Sequence, residues 1–342
     1  MTRTAVIGVG SMGRNHVRVY SEMPDVELVA VVDADPALAD SVGKASHVPA
    51  YDDYREMIER ERPEAVSVVV PTSLHYRVAK DVLELGCHVM VEKPIASTAG
   101  EAYELVRAAE GLGLALMVGH IERFNPAIVE LKRRLDQNEL GRIFQVHARR
   151  LGPFPTRIQD VGVIMDLAPH DLDIMRYLTG SEVSRVHAET KRILHETQDD
   201  MFVGLVRFDD GALGMLEINW LTPTKIRELC VTGERGMFRV NYITQDLFFY
   251  ENAATNDSGW PTISLIRGVS EGMVIQYPVK KKEPLRAELE SFIACVRDRL
   301  PGVGNGRDAM VALELVAALM QASADGQTNE VRYLADVESA LQ

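Results

Sequence analysis

Cysteine is scarce in this chain of 342 residues: Cys87, Cys230 and Cys295 stand far apart and fit no zinc or redox spacing. They read as reduced structural thiols of a cytoplasmic protein. No run of roughly 18 apolar residues occurs, so neither a spanning helix nor a membrane partner is expected. The first strand pattern begins at Thr4, which leaves no room for a signal peptide. Positive charge is also short. Against 50 Asp and Glu there are 37 Lys and Arg, a net charge of -13, and this argues against nucleic acid as a partner. An anionic substrate would need local basic residues to overcome that background. Internal repeats and low-complexity linkers are missing. What remains is 46% hydrophobic, enough apolar material at this length for two cores and hence two domains.

The most informative stretch is the first, Thr4 to Gly13, TAVIGVGSMG. An apolar, β-branched run ends in Gly-x-Gly-x-x-Gly, and a helical segment from Arg14 to Glu22 follows. The pattern reads as a buried parallel strand, a tight turn through Ser11 and Met12, and a helix whose free N–H groups face a pyrophosphate. Gly8 allows the turn, Gly10 the approach of the phosphate, and Gly13 the contact of helix with strand. Glycine-rich turns also occur without any nucleotide, so this stretch needs company. Asp33 supplies it. It ends a second apolar strand 20 residues after Gly13, where a carboxylate accepts hydrogen bonds from adenine-ribose hydroxyls. Its competing role is a helix cap before Pro36. A carboxylate repels a 2′-phosphate, and no arginine follows Asp33 directly, so NAD is favoured over NADP as the cofactor.

Strand–helix alternation continues with Ala65–Val70, Leu74–Leu85, His88–Glu92, Thr98–Leu112 and Leu114–Gly119. Continuous apolar strands separated by helices predict a doubly wound, mostly parallel α/β Rossmann sheet covered on both faces. Ligands of such sheets bind beyond the carboxyl ends of the strands. That rule gathers Gly8–Gly13, Asp33, Pro71, Thr72, Glu92, Lys93, Pro94 and His120 on one rim.

After about residue 122 the pattern changes. A helix is expected over Asn125–Asn138, a strand over Ile143–Leu151, long strands from Val183 to Tyr250 with hairpin turns at Asp209–Gly211 and Gly233–Gly236, and helices over Pro284–Leu300 and Asp308–Ala324. The expected division is residues 1–122 as an NAD-binding domain and 123–342 as an α+β substrate-binding and oligomerisation domain. The second carries a large, open-faced, mostly antiparallel sheet, and the C-terminal helices are candidates to pack back on the first domain. An uncovered sheet face predicts a homo-oligomer, a dimer or tetramer.

Two stretches carry chemistry. The ammonium of Lys93 on the rim can stabilise an alkoxide during hydride transfer; its bland alternative is a surface lysine paired with Glu92. From Gly162 to Tyr177 the chain reads GVIMDLAPHDLDIMRY. If helical, Asp166 and His170 share a face at i and i+4. His170 is the candidate general base, with Asp166 positioning substrate or tuning the site. Pro169 puts an uninterrupted helix in question. Asp166, His170 and Asp173 also have metal-ligand chemistry, but no second histidine or recognised spacing accompanies them, so no metal is expected.

Gly8-x-Gly10-x-x-Gly13, Pro71-Thr72-x-x-His75, Glu92-Lys93-Pro94 and Asp166-x-x-x-His170, in that order, resemble the glucose–fructose oxidoreductase/inositol dehydrogenase family (Gfo/Idh/MocA) over essentially the whole chain. The resemblance implies NAD(P)-linked oxidation or reduction of a sugar or polyol, with Lys93 and His170 in the active site. It also implies that Thr72, His75 and Glu92 lie along the cofactor, and it suggests a cis Lys93–Pro94 bond. Within the family, GHIERFNP from Gly119 to Pro126 and RRLGPFPTRIQDVG from Arg149 to Gly162 resemble UDP-N-acetylglucosamine 3-dehydrogenases. Those oxidise the C3 hydroxyl of the sugar to a ketone, after which an aminotransferase installs an amine; the 3-amino sugar can feed lipid A. Arg149, Arg150 and Arg157 bracket a Gly-Pro-rich loop and suit a diphosphate. Strand alternation turns Arg149 and Arg150 to opposite faces. Arg123 is a candidate for cofactor binding. Asn125 serves either a ligand or the cap of the following helix. The rival functions are another NAD(P)-dependent sugar or inositol dehydrogenase and, in a different class, a catalytically silent nucleotide-sensing regulator.

Overall fold

The structure, a computed structural model, describes residues 1–154, 162–253, 271–298 and 304–334. The chain divides into two units. The first comprises Met1–Phe124 and Glu283–Glu314 with Tyr333 and Leu334; the second comprises Asn125–Lys282 and Leu315–Arg332.

In the first unit, elements alternate as β1 (Thr2–Ile7), α1 (Ser11–Glu22), β2 (Val26–Val32), α2 (Pro36–Ser46), β3 (Ala50–Tyr51), α3 (Tyr54–Glu61), β4 (Ala65–Val68), α4 (Thr72–Glu84), β5 (His88–Val91), α5 (Ala99–Leu112) and β6 (Leu116–Val118). The strands pair in parallel, in the order β3-β2-β1-β4-β5-β6. β4 is buried at every position, as a strand covered on both faces must be. Helix starts follow local chemistry. Asp35 accepts the Ala37 and Leu38 N–H groups ahead of Pro36, which leaves Asp33 free of the capping role. Thr98 and Glu101 form a capping box on α5. β3 escaped the sequence pattern because two residues show no period.

The second unit begins with α6 (Pro126–Asp136), capped by Asn125, and β7 (Ile143–Leu151). It continues with α7 (Val163–Thr179), β8 (Val183–Lys191), β9 (Met201–Phe208), β10 (Leu213–Asn219), β11 (Ile226–Gly233), β12 (Gly236–Asn241), β13 (Asp246–Asn252) and β14 (Glu271–Tyr277). Helices α8 (Pro284–Asp298) and α9 (Gly306–Asp325) and the short β15 (Asn329–Glu330) follow. Nine strands run β14-β13-β12-β11-β7-β10-β9-β8-β15; β7 and β10 pair in parallel and the other neighbours antiparallel. The hairpin turns stand where expected, between β9 and β10 and between β11 and β12. Helix α7 covers one face of β7, β9 and β10. On the other face Val203, Leu205 and Leu213 are exposed, so the sheet is open-faced among the described residues.

Helix α8 belongs to the first unit. Leu285, Leu289, Phe292, Ile293 and Val296 recur at helical spacing and enter one apolar cluster with Val6, Val17, Tyr20 and Phe124. Each such side chain contributes about 1.5–3 kcal/mol through its buried apolar surface. Among the described residues no helix is long and apolar enough to cross a membrane.

Candidate functional site

The glycine turn has the geometry that its spacing requires. Gly8 adopts φ +88°, and a Cβ there would stand 2.4 Å from the Val69 carbonyl oxygen. A Cβ on Gly13 would lie 1.9 Å from the Gly8 carbonyl oxygen, so only glycine lets α1 start against β1. Gly10 has open space around it and forms the N-cap of α1 without any side-chain cap bond. The first N–H groups of α1, those of Ser11, Met12 and Gly13, therefore meet no capping side chain, and an anion such as a pyrophosphate fits there.

Asp33 follows the end of β2. Its Oδ2 accepts the Val9 N–H at 2.8 Å and its Oδ1 the Asp35 N–H at 3.0 Å. Each carboxylate oxygen retains a lone pair to accept a ribose hydroxyl. A cavity of about 690 Å³ opens beside it, lined by Gly8, Gly10, Asp33, Tyr54, Val70 and Pro71 among others. Size, the carboxylate and the uncapped helix together fit the adenosine end of a dinucleotide.

At the carboxyl end of β5 the Lys93–Pro94 bond is cis, and Lys93 is half-buried. His75, expected along the cofactor, is instead 1% exposed. Its Nδ1 lies 2.6 Å from the Pro94 carbonyl oxygen and its Nε2 2.8 Å from that of Val70. Both ring nitrogens are thus occupied by backbone, and His75 ties the turn after β5 to the turn before α4. Thr72 opens α4, half-buried. Glu92 accepts from His16 Nε2 at 3.1 Å and from the Lys93 N–H at 3.2 Å. Burial pushes its carboxyl up, but the hydrogen bond to His16, with the charge and backbone N–H of Lys93, more than offsets this and holds it below its ordinary value. Arg123, expected to serve the cofactor, is 5% exposed and gives one guanidinium nitrogen to Asp308 at 2.8 Å. Its placement ties the turn after β6 to the first turn of α9.

In the second unit α7 runs without a break through Pro169. Asp166 and His170 therefore stand one turn apart on one helix, both half-buried, while Asp171 and Asp173 are buried. The two arginines expected to bind substrate each meet carboxylates. Arg150 faces α7 and forms a bidentate pair with Asp171 at 2.9 and 2.8 Å, with its guanidinium over the Tyr242 ring at 5.4 Å. Arg149 points to the opposite, open face and pairs with Glu217 at 2.9 Å and Glu228 at 3.5 Å. Alternation foresaw the opposite faces; it did not reveal that acidic partners on neighbouring elements engage both arginines. Arg157 lies outside the described residues. Asn125 caps α6 and donates to the Tyr242 carbonyl oxygen at 3.0 Å, which makes it a structural residue. Among the described residues no cluster of three His, Cys, Asp or Glu is placed to hold a metal.

Sequence and structure comparisons agree with this architecture. Residues 2–120 match the model of the oxidoreductase family with an NAD-binding Rossmann fold, and residues 128–239 match that of the GFO/IDH/MocA C-terminal domain. The chain is 30% identical over 321 residues to UDP-N-acetylglucosamine 3-dehydrogenase of Acidithiobacillus ferrooxidans, covering 93% of this chain and 97% of that one. The solved structure of that enzyme matches with a TM-score of 0.83 at 29% identity, over 94% of this chain and 96% of the other. Scyllo-inositol 2-dehydrogenase (NAD(+)) of Bacillus subtilis is 26% identical, with 95% and 94% covered. With its glycine turn, the acid after β2 and these full-length likenesses, the chain belongs to the Gfo/Idh/MocA oxidoreductase family and is an NAD-dependent dehydrogenase.

Proposed function

We propose that the protein oxidises the C3 hydroxyl of UDP-N-acetylglucosamine to the 3-keto sugar. The observation that carries this is the 30% identity to a UDP-N-acetylglucosamine 3-dehydrogenase across 97% of that enzyme's length. NAD supplies the hydride acceptor. In this reading the Lys93 ammonium stabilises the alkoxide that develops at C3. The His170 imidazole takes the hydroxyl proton, and Asp166 orients the substrate or tunes His170. The keto product would then pass to an aminotransferase for a 3-amino sugar of lipid A or a related glycan. We also read the open face of the second sheet, with Val203, Leu205 and Leu213 exposed, as the surface of a homodimer or homotetramer.

NADH formation with UDP-N-acetylglucosamine, free N-acetylglucosamine and myo-inositol tests the substrate. Turnover of the nucleotide sugar alone is expected, and borodeuteride reduction of the product should label C3. Turnover confined to free sugars or inositol overturns the proposal and favours the second reading, an inositol-type dehydrogenase, which the 26% likeness to the Bacillus subtilis enzyme supports. His170→Ala and Lys93→Met should each lower kcat by about 10²-fold or more with NAD binding retained.

A further inference from the structure

His16 and Tyr20 stand four residues apart on α1, so one helix face carries both inward. His16 and Ser67 of β4 are each 0% exposed and Tyr20 1%. The Tyr20 hydroxyl lies 2.8 Å from Ser67 Oγ, Ser67 Oγ lies 3.2 Å from His16 Nδ1, and His16 Nε2 lies 3.1 Å from Glu92 Oε1. One direction of donation satisfies the whole chain: phenol to serine, serine to Nδ1, and Nε2–H to the carboxylate. Burial pushes the Tyr20 phenol up, with Ser67 opposing and the charge of Glu288 assisting, so Tyr20 keeps its proton at the donor end. On the far side of Glu92, Gly119 leaves room for the carboxylate; a Cβ there would stand 2.9 Å from Oε2.

Apolar residues would pack between α1 and β4 without desolvating any polar group. This polar chain instead ends on the residue before Lys93, and it starts from the helix whose N-terminus faces the cofactor phosphate. We propose that His16 is a positioning residue for Lys93, fixing the Glu92–Lys93–Pro94 turn against α1 through the Glu92 carboxylate. The inference rests on Lys93 acting at the reacting carbon. The groups that act on Glu92 are His16 from α1 and Lys93 from its own strand end; Tyr20, and Glu288 of α8 through it, are reached by way of Ser67. Without the His16 donor, burial dominates at Glu92. The carboxyl then holds its proton toward neutral pH, and its grip on the turn loosens.

The test uses the full chain with His16→Leu, His16→Gln and the double variant His16→Leu/Glu92→Gln. His16→Leu should lose about tenfold or more in kcat while its Kd for NAD moves by less than about twofold. Infrared spectra near neutral pH should show a protonated carboxyl band in His16→Leu that the double variant lacks. His16→Gln restores a donor; it should recover most of kcat and lose the band. Wild-type kcat in His16→Leu, equal impairment of the Leu and Gln variants, or absence of the band overturns the inference. Should His16→Leu fail to fold, His16→Asn, too short to reach Glu92, replaces it with the same outcomes. The infrared and NAD-binding arms need no sugar. A wild type inert toward UDP-N-acetylglucosamine therefore overturns the substrate proposal, whereas a missing band overturns the role of His16.

Discussion

Arg150 and Asp171 meet in a buried bidentate ion pair, 5% and 2% exposed, that fastens β7 to α7 at the residue after His170. Removing one partner leaves the other charge buried and unpaired. Arg150→Met should therefore cost about 3–5 kcal/mol, read from urea denaturation. Arg150→Met/Asp171→Leu should recover much of that loss, because no charge is stranded. A single variant as stable as the wild type would show that the pair contributes nothing.

The two later glycines of the turn should separate folding from binding. Gly13→Ala forces a Cβ to 1.9 Å from a backbone oxygen, so its melting temperature should fall without any ligand present. Gly10→Ala meets nothing within 4 Å and should melt like the wild type, yet bind NAD about tenfold more weakly because its methyl group faces the pyrophosphate. Thermal melts with and without NAD distinguish the two.

Asp33 holds Val9 and Asp35 and lines the cavity beside the glycine turn. Asp33→Ser combined with Ala34→Arg should remove the repulsion of a 2′-phosphate and supply a cation for it. The ratio of NADP to NAD affinity, read from cofactor fluorescence, should rise by about tenfold or more. An unchanged ratio would remove Asp33 from cofactor selection.

His147, on the open sheet face, is pushed down by burial and by Arg149, against the pull of Glu217. The unfolded chain binds its proton near pH 6.5, above the folded value. The stabilising contribution is therefore present above that pH and lost as pH falls through the window beneath it. Relative to His147→Gln, the wild type should lose stability as pH falls below about 6.5, as read from urea midpoints. A constant difference would deny the shift.

Much of the cofactor half was legible because its determinants are consecutive. Gly8, Gly10 and Gly13 sit within one turn, and Asp33 follows at the length of one helix and one strand. The Thr98 cap and the β9–β10 turn were likewise written in neighbouring residues. The edge strands β3, β14 and β15 carried too little alternation to read; Met273 and Val274 of β14 are adjacent and both exposed. The family resemblance puts His75 along the cofactor; no local pattern shows that its ring turns inward to two carbonyls. His16 was overlooked altogether. Its one signal was a second polar residue, Tyr20, four places on along a buried helix face.

The sequence by itself determined all but the weakest elements, the parallel sheet, the nucleotide turn and the acid beside it, since strand period, helix period and glycine sterics act over a few adjacent residues. Only the tertiary structure decided which polar side chains satisfy one another. Arg150 takes Asp171 across 21 residues, His16 takes Glu92 across 76, and Arg123 takes Asp308 across 185. The physical reason is desolvation: a buried charge must find its partner wherever the fold brings one, and that partner comes from an element that local pattern cannot name.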